Sequence, residues 1–116
     1  MKSWGMSLHL DLSECDHGIL MDQEALKKFI VDLCRAVDMV PHGQPITDRF
    51  GEGKLLGVSA MMFIETSTIT VHNDEIDNRA FVDLFSCQDF DPQLAIEFSQ
   101  KYYKTDKVKF QVMQRG

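Results

Sequence analysis

No apolar run in the 116 residues approaches the roughly 20 that a membrane span needs. Nor does Met1-Lys2-Ser3-Trp4-Gly5 contain the apolar stretch of a secretory leader. A cytoplasmic protein with no membrane partner is the expectation. Basic residues are scarce as well: 12 Lys and Arg stand against 18 Asp and Glu, a formal net charge of −6, which leaves no basic face for nucleic acid. There are only three cysteines, Cys15, Cys34 and Cys87, with no Cys-x-x-Cys pair. Such an odd set argues against a disulfide framework or a zinc site and suits a reducing compartment. The four histidines, at 9, 17, 42 and 72, form no i, i+4 pair, so no metal is expected; Cys15 and His17 read as part of a polar turn. A phosphate-binding loop is missing too. Gly51-Glu52-Gly53-Lys54 precedes an apolar strand, whereas a phosphate loop must open a helix.

What is present is ordinary globular material, 44% hydrophobic and 26% charged, enough for one domain over residues 1–116 and one core. Leu8, Leu10 and Leu12 alternate with polar residues as in a half-buried strand. Asp22 is placed to cap a helix whose Leu26, Phe29, Ile30, Leu33 and Val37 form one stripe at helical spacing. Val40 to Lys54, with two prolines and three glycines, reads as a long loop. Three consecutive strands follow, over Leu55 to Glu65, Ser67 to His72 and Ala80 to Ser86, with a polar turn at residues 73–78. Asp91-Pro92 caps a second helix with Leu94, Ala95, Phe98 and Tyr102 as its buried stripe. A last strand has Val108, Phe110 and Val112 on one face. The order β-α-β-β-β-α-β predicts an α+β two-layer sandwich, an antiparallel sheet with two helices on one face.

Chemistry is hardest to exclude at Glu65-Thr66-Ser67-Thr68, four polar residues where two strands meet. The segment reads either as a bulge or turn, or with Ser67 as a nucleophile served by His72, five residues on, and Cys87 at the end of the next strand. Spacing leaves both readings open.

The offsets extend further. Gly57-Val58-Ser59 places Ser59 eight residues before Ser67, and Cys87 lies fifteen beyond His72 within Val82-Asp83-Leu84-Phe85-Ser86-Cys87-Gln88-Asp89. In these motifs, and over essentially its whole length, the chain resembles the small prokaryotic type of S-adenosylmethionine decarboxylase, a pyruvoyl-dependent family. The resemblance implies self-cleavage between Thr66 and Ser67 into a β chain, 1–66, and an α chain, 67–116, whose first residue becomes a pyruvoyl group. His72 would be the base of the elimination, Ser59 would hydrogen-bond the tetrahedral intermediate, and Cys87 would return a proton to the substrate. Neither pyridoxal phosphate nor metal would be needed. The resemblance further implies S-adenosylmethionine as substrate, spermidine biosynthesis as the use of its product, and a homodimer with sites near the subunit interface.

The chain also departs from the family pattern. Thr66-Ser67-Thr68 stands where Glu-Ser-His is usual, and Asn73-Asp74-Glu75-Ile76 stands where Thr-Trp-Pro-Glu is. The resemblance would put the family's ribose-binding carboxylate at Ile76, and the phenylalanine that would stack on adenine is absent from its place, although Phe50 lies three residues earlier. Phe50, Asp74 and Glu75 are accordingly the candidate substrate contacts. The acidic group Asp74, Glu75 and Asp77 keeps arginine or ornithine open as the substrate of a related pyruvoyl enzyme. The altered cleavage motif keeps open an uncleaved binding or regulatory homologue, against which stands the retention of Ser59, Ser67, His72 and Cys87 together.

Overall fold

A computed structural model describes residues 3–116; Met1 and Lys2, part of the stretch read above as lacking a leader, lie outside the described residues. The chain runs β1 (Gly5–Ser13), α1 (His17–Leu20), α2 (Gln23–Ala36), β2 (Pro41–Phe50), a 3₁₀ turn (Gly53–Leu55), β3 (Gly57–Ile64), β4 (Ser67–Asp74), β5 (Arg79–Ser86), α3 (Pro92–Tyr103) and β6 (Lys107–Arg115). Six antiparallel strands form one sheet in the order β2-β3-β4-β5-β1-β6. Helices α2 and α3 pack together and cover one face, α2 over β2 and β3 and α3 over β1 and β6. The expected two-layer α+β architecture is therefore present.

Strand alternation sorts the side chains between the layers. Leu8, Leu10 and Leu12, Ile69 and Val71, and Val82 and Leu84 are all buried beneath the helices. They meet the α2 stripe of Leu26, Phe29, Ile30, Leu33 and Val37, which is buried as the periodicity predicts. Among the described residues, the opposite face carries no helix. It presents Met61 and Phe63 from β3, Thr70 and His72 from β4, Phe81, Asp83 and Phe85 from β5, and His9 and Asp11 from β1.

Three expectations require correction. The segment expected to be a long loop contains β2, a strand additional to the seven elements expected. Proline lacks a ladder donor and belongs at sheet edges or bulges, and β2 is an edge strand whose register shifts between His42 and Ile46, around Pro45. Loop-like composition there reflects an edge. Helix α3 is rotated from the expected stripe: Ala95, Ile96, Ser99 and Tyr103 are buried, while Leu94 is exposed. Phe98 and Tyr102 turn sideways to stack on Phe29 of α2, with ring centroids 5.9 and 4.3 Å away. In β6, Val108 is half-buried but Phe110 and Val112 are exposed, because β6 is the other edge strand. The single turn α1 is also additional, closed by Asp16, which accepts from the Ile19 N–H.

Candidate active site

Strand β4 links two groups of polar residues, one at each end. At its start, Glu65 and Thr66 make a two-residue turn from β3, and Ser67 opens β4 opposite Ile64 on one side and Ser86 on the other. Ser67 has φ 157°, a backbone conformation rare for residues with side chains. The Thr66 carbonyl accepts a 2.8 Å hydrogen bond from the backbone N–H of Cys87. The Thr66 hydroxyl accepts from the Ser86 hydroxyl at 2.9 Å and donates to Met39 Sδ at 3.6 Å. Ser86 in turn accepts from the Gln88 N–H at 3.0 Å. Cys87 itself is exposed. Gly5 gives this end its close packing: a β-carbon there would lie 2.6 Å from the Ser86 carbonyl oxygen. Beside Cys87, Phe85 packs against Trp4 at 5.9 Å and beneath the Arg115 guanidinium at 5.1 Å.

At the far end of β4, His72 pairs in register with Ser59 of β3, and the Ser59 hydroxyl and His72 Nδ1 are 2.8 Å apart. Both face the uncovered side. Gly57 of the Gly-x-Ser motif is needed because a β-carbon there would collide with the Asn73 carbonyl oxygen. Asn73 points inward, donating to the Leu20 carbonyl at 3.1 Å and accepting from the buried Tyr103 hydroxyl at 2.7 Å. Strand alternation thereby leaves its neighbour His72 facing out. A cleft of about 410 Å³ lies here, lined by Phe50, Lys54, Ser59, His72, Asp74, Arg79 and Phe81 among others.

The structure thus brings Ser67 and Cys87 together, and Ser59, His72, Phe50 and Asp74 together, but separates the two groups. Five residue steps of extended strand from Ser67 to His72 span about 16 Å, far beyond hydrogen-bond reach. Midway between them, His9 Nδ1 meets Asp83 Oδ1 at 2.9 Å across β1 and β5.

The two acidic candidates are already paired. Glu75 is buried, and both its oxygens accept from the Arg49 fork at 2.9 Å. That hydrogen bond, aided by the Arg49 charge and opposed by burial, holds its carboxyl below the usual 4.5. Asp74 accepts from Arg79 Nε and Nη2 at 2.8 and 2.6 Å. Burial pushes its carboxyl up, but the Arg79 bonds, backbone donors and the Arg79 charge outweigh it, and the pKa lies below the usual 3.8. Neither arginine was among the residues expected at the site. Arg79 stands directly opposite Asp74 in the β4–β5 register and could have been found from the hairpin; Arg49, 26 residues from Glu75, left no local signal. Ser86 was also missed.

The thiols divide clearly. Cys15 and Cys34 are buried, and burial pushes each up to about 11, so both are neutral thiols at neutral pH. Among the described residues, no group of three or more His, Cys, Asp or Glu side chains is arranged to hold a metal ion. No helix among them is long and apolar enough to cross a membrane.

A family model described as S-adenosylmethionine decarboxylase matches residues 6–116. Among similar curated proteins are S-adenosylmethionine decarboxylase proenzymes from Thermotoga maritima and Clostridium botulinum. The first is 28% identical and the second 27%; each alignment covers 100% of this chain, with 87% and 97% of the relative respectively. The proenzyme of Thermodesulfovibrio yellowstonii is 26% identical over 100% of this chain and 84% of its own length. In fold, the chain matches the crystal structure of the adenosylmethionine decarboxylase from Aquifex aeolicus with a TM-score of 0.83. That match is at 18% identity and covers 100% of this chain and 93% of that one.

Proposed function

The chain belongs to the S-adenosylmethionine decarboxylase family, and from that premise we propose that it is a proenzyme that cuts itself between Thr66 and Ser67 and then releases carbon dioxide from S-adenosylmethionine. The product would be the aminopropyl donor for spermidine synthesis. The observation that carries this reading is the junction itself. A serine at φ 157° follows a carbonyl already polarised by the Cys87 N–H.

Self-cleavage uses residues present at that junction. Ser67 Oγ attacks the Thr66 carbonyl carbon, the C–N bond breaks as the hydroxyl proton passes to nitrogen, and an ester replaces the amide. Loss of the Ser67 α-proton expels residues 1–66 as a carboxylate, and water converts the unsaturated residue that remains into pyruvoyl with release of ammonia. The site fits the group so formed: the unfavourable φ of Ser67, worth about 1–3 kcal/mol in such regions, ceases to exist once its N–C link to Thr66 is gone. When formed, the pyruvoyl carbonyl supplies the electron sink for decarboxylation that pyridoxal phosphate provides elsewhere.

His72 and Ser59 serve this chemistry from a second copy. Their separation of about 16 Å from Ser67 excludes direct action within one chain. The uncovered face carries the exposed Ile46, Phe50, Met61 and Phe63, apolar surface that a partner sheet would bury. A two-fold axis lying in that face and crossing the strands near Thr70 would bring the partner subunit's His72 to the Ser67 end of β4. His72 then takes the α-proton, Ser59 stabilises the tetrahedral oxygen, and the exposed Cys87 returns a proton to the substrate α-carbon. Phe50 and Phe81, lining the cleft beside His72, offer flat apolar walls for the purine. Arginine and ornithine lose their support, because Glu75 and Asp74 already hold Arg49 and Arg79. The test is carbon dioxide release from carboxyl-labelled substrates. S-adenosylmethionine is expected to be turned over and the two amino acids not; release from the amino acids alone would overturn the assignment.

A further inference from the structure

We propose that Ser86 is a positioning residue for self-cleavage, fixing Thr66 so that the backbone N–H of Cys87 serves as the oxyanion donor within the same chain. The inference rests on the self-cleavage reading above and assigns a role to a residue that reading does not use. As the Ser67 Oγ–carbon bond forms and the Thr66–Ser67 C–N bond breaks, the hydroxyl proton moves to nitrogen and nothing is oxidised. Negative charge collects meanwhile on the Thr66 oxygen. The Cys87 N–H already donates to that oxygen at 2.8 Å, and such a bond strengthens as charge develops. Ser59 of the same chain cannot contribute, because it is bonded to His72 at the other end of β4.

What keeps the carbonyl on this donor is the side chain of Thr66. Ser86 has no solvent exposure. The Gln88 N–H occupies it as an acceptor, so its own hydrogen is directed to Thr66 Oγ1 at 2.9 Å. The Thr66 hydroxyl passes its hydrogen to Met39. A buried hydroxyl left without a partner is costly, so the sequence of donors has one favoured direction. Two consecutive residues at the end of β5 thereby grip Thr66, one by its hydroxyl and one by its carbonyl. Where the family usually carries glutamate before the serine, this chain has a residue whose hydroxyl Ser86 can reach.

The test follows conversion of freshly translated full-length chain into residues 1–66 and 67–116 by intact mass against time. Ser86→Ala is expected to slow conversion about tenfold, the loss of one well-placed hydrogen bond, and Ser86→Thr to restore it to within about twofold. Thr66→Val is expected to slow it similarly, and the double variant Ser86→Ala/Thr66→Val to be no slower than the slower single. Conversion of Ser86→Ala and Thr66→Val at the wild-type rate would overturn the role of Ser86 alone, as would losses that multiply in the double variant. A wild-type chain that stays whole would overturn the self-cleavage reading and this role with it. Should Ser86→Ala fail to fold by circular dichroism, Thr66→Val decides: slowed conversion supports the role, and an unchanged rate overturns it.

Discussion

Cys87 differs from Cys15 and Cys34 in a way a thiol reagent can read. Iodoacetamide at neutral pH should add once, within residues 67–116, because Cys87 is exposed while burial holds the other two thiols near 11. Equal labelling of all three in the folded protein would contradict the placement of Cys15 and Cys34 in the core. The Arg49–Glu75 pair gives a pH signature. A carboxyl held below its usual 4.5 by its partner stabilises the fold fully above that value and loses the contribution as pH falls through the folded-state pKa. Urea midpoints of wild type and Glu75→Gln should therefore differ most near neutral pH and converge as the pH falls through the folded-state pKa of Glu75, which lies below the usual 4.5. A gap that stays constant across that range would remove the pair from the account. Residues 59, 67, 72 and 87 stand as candidates on their offsets along the chain, and those offsets did not show that the structure groups them in two pairs at opposite ends of β4. Glu75 was misjudged as a free anion because its cation, Arg49, arrives from β2, a strand that composition concealed.

Elements with a strong local period were read well, and those set by their neighbours were not. The α2 stripe follows from 3.6-residue spacing alone, and so do the caps at Asp22 and Asp91, each accepting from a first-turn N–H. Asp91→Ala should cost about 1 kcal/mol, a fall of roughly 4 °C in melting temperature for a domain of this size; no change in melting temperature would show that the cap does not hold α3. The rotation of α3 depends on where α2 presents Phe29, and the edge positions of β2 and β6 depend on strand order. Neither is encoded in a local window. At the Thr66–Ser67 junction the same limit applied: spacing placed Ser67 and Cys87 on adjacent strands, but the bond from the Cys87 N–H to the Thr66 carbonyl needed the register.

On the scale of the whole molecule, one face of a six-stranded sheet is covered by helices and the other is not, and the two groups of candidate residues lie at opposite ends of β4. If the site is shared between two copies, chains carrying Ser67→Ala and His72→Ala, each inactive alone, should regain activity when produced together, since one of the two sites in a mixed dimer is intact. Failure to regain it, with mixed dimers demonstrated, would return His72 to its own chain. Whether this protein breaks its own backbone to make its cofactor is read from the intact mass of the purified chain, with and without a carbonyl-specific hydrazine. Two species are expected, residues 1–66 and residues 67–116 with only the second gaining the hydrazine, together with an undivided, unreactive Ser67→Ala. A wild-type chain of 13.3 kDa that takes up no hydrazine would contradict self-cleavage.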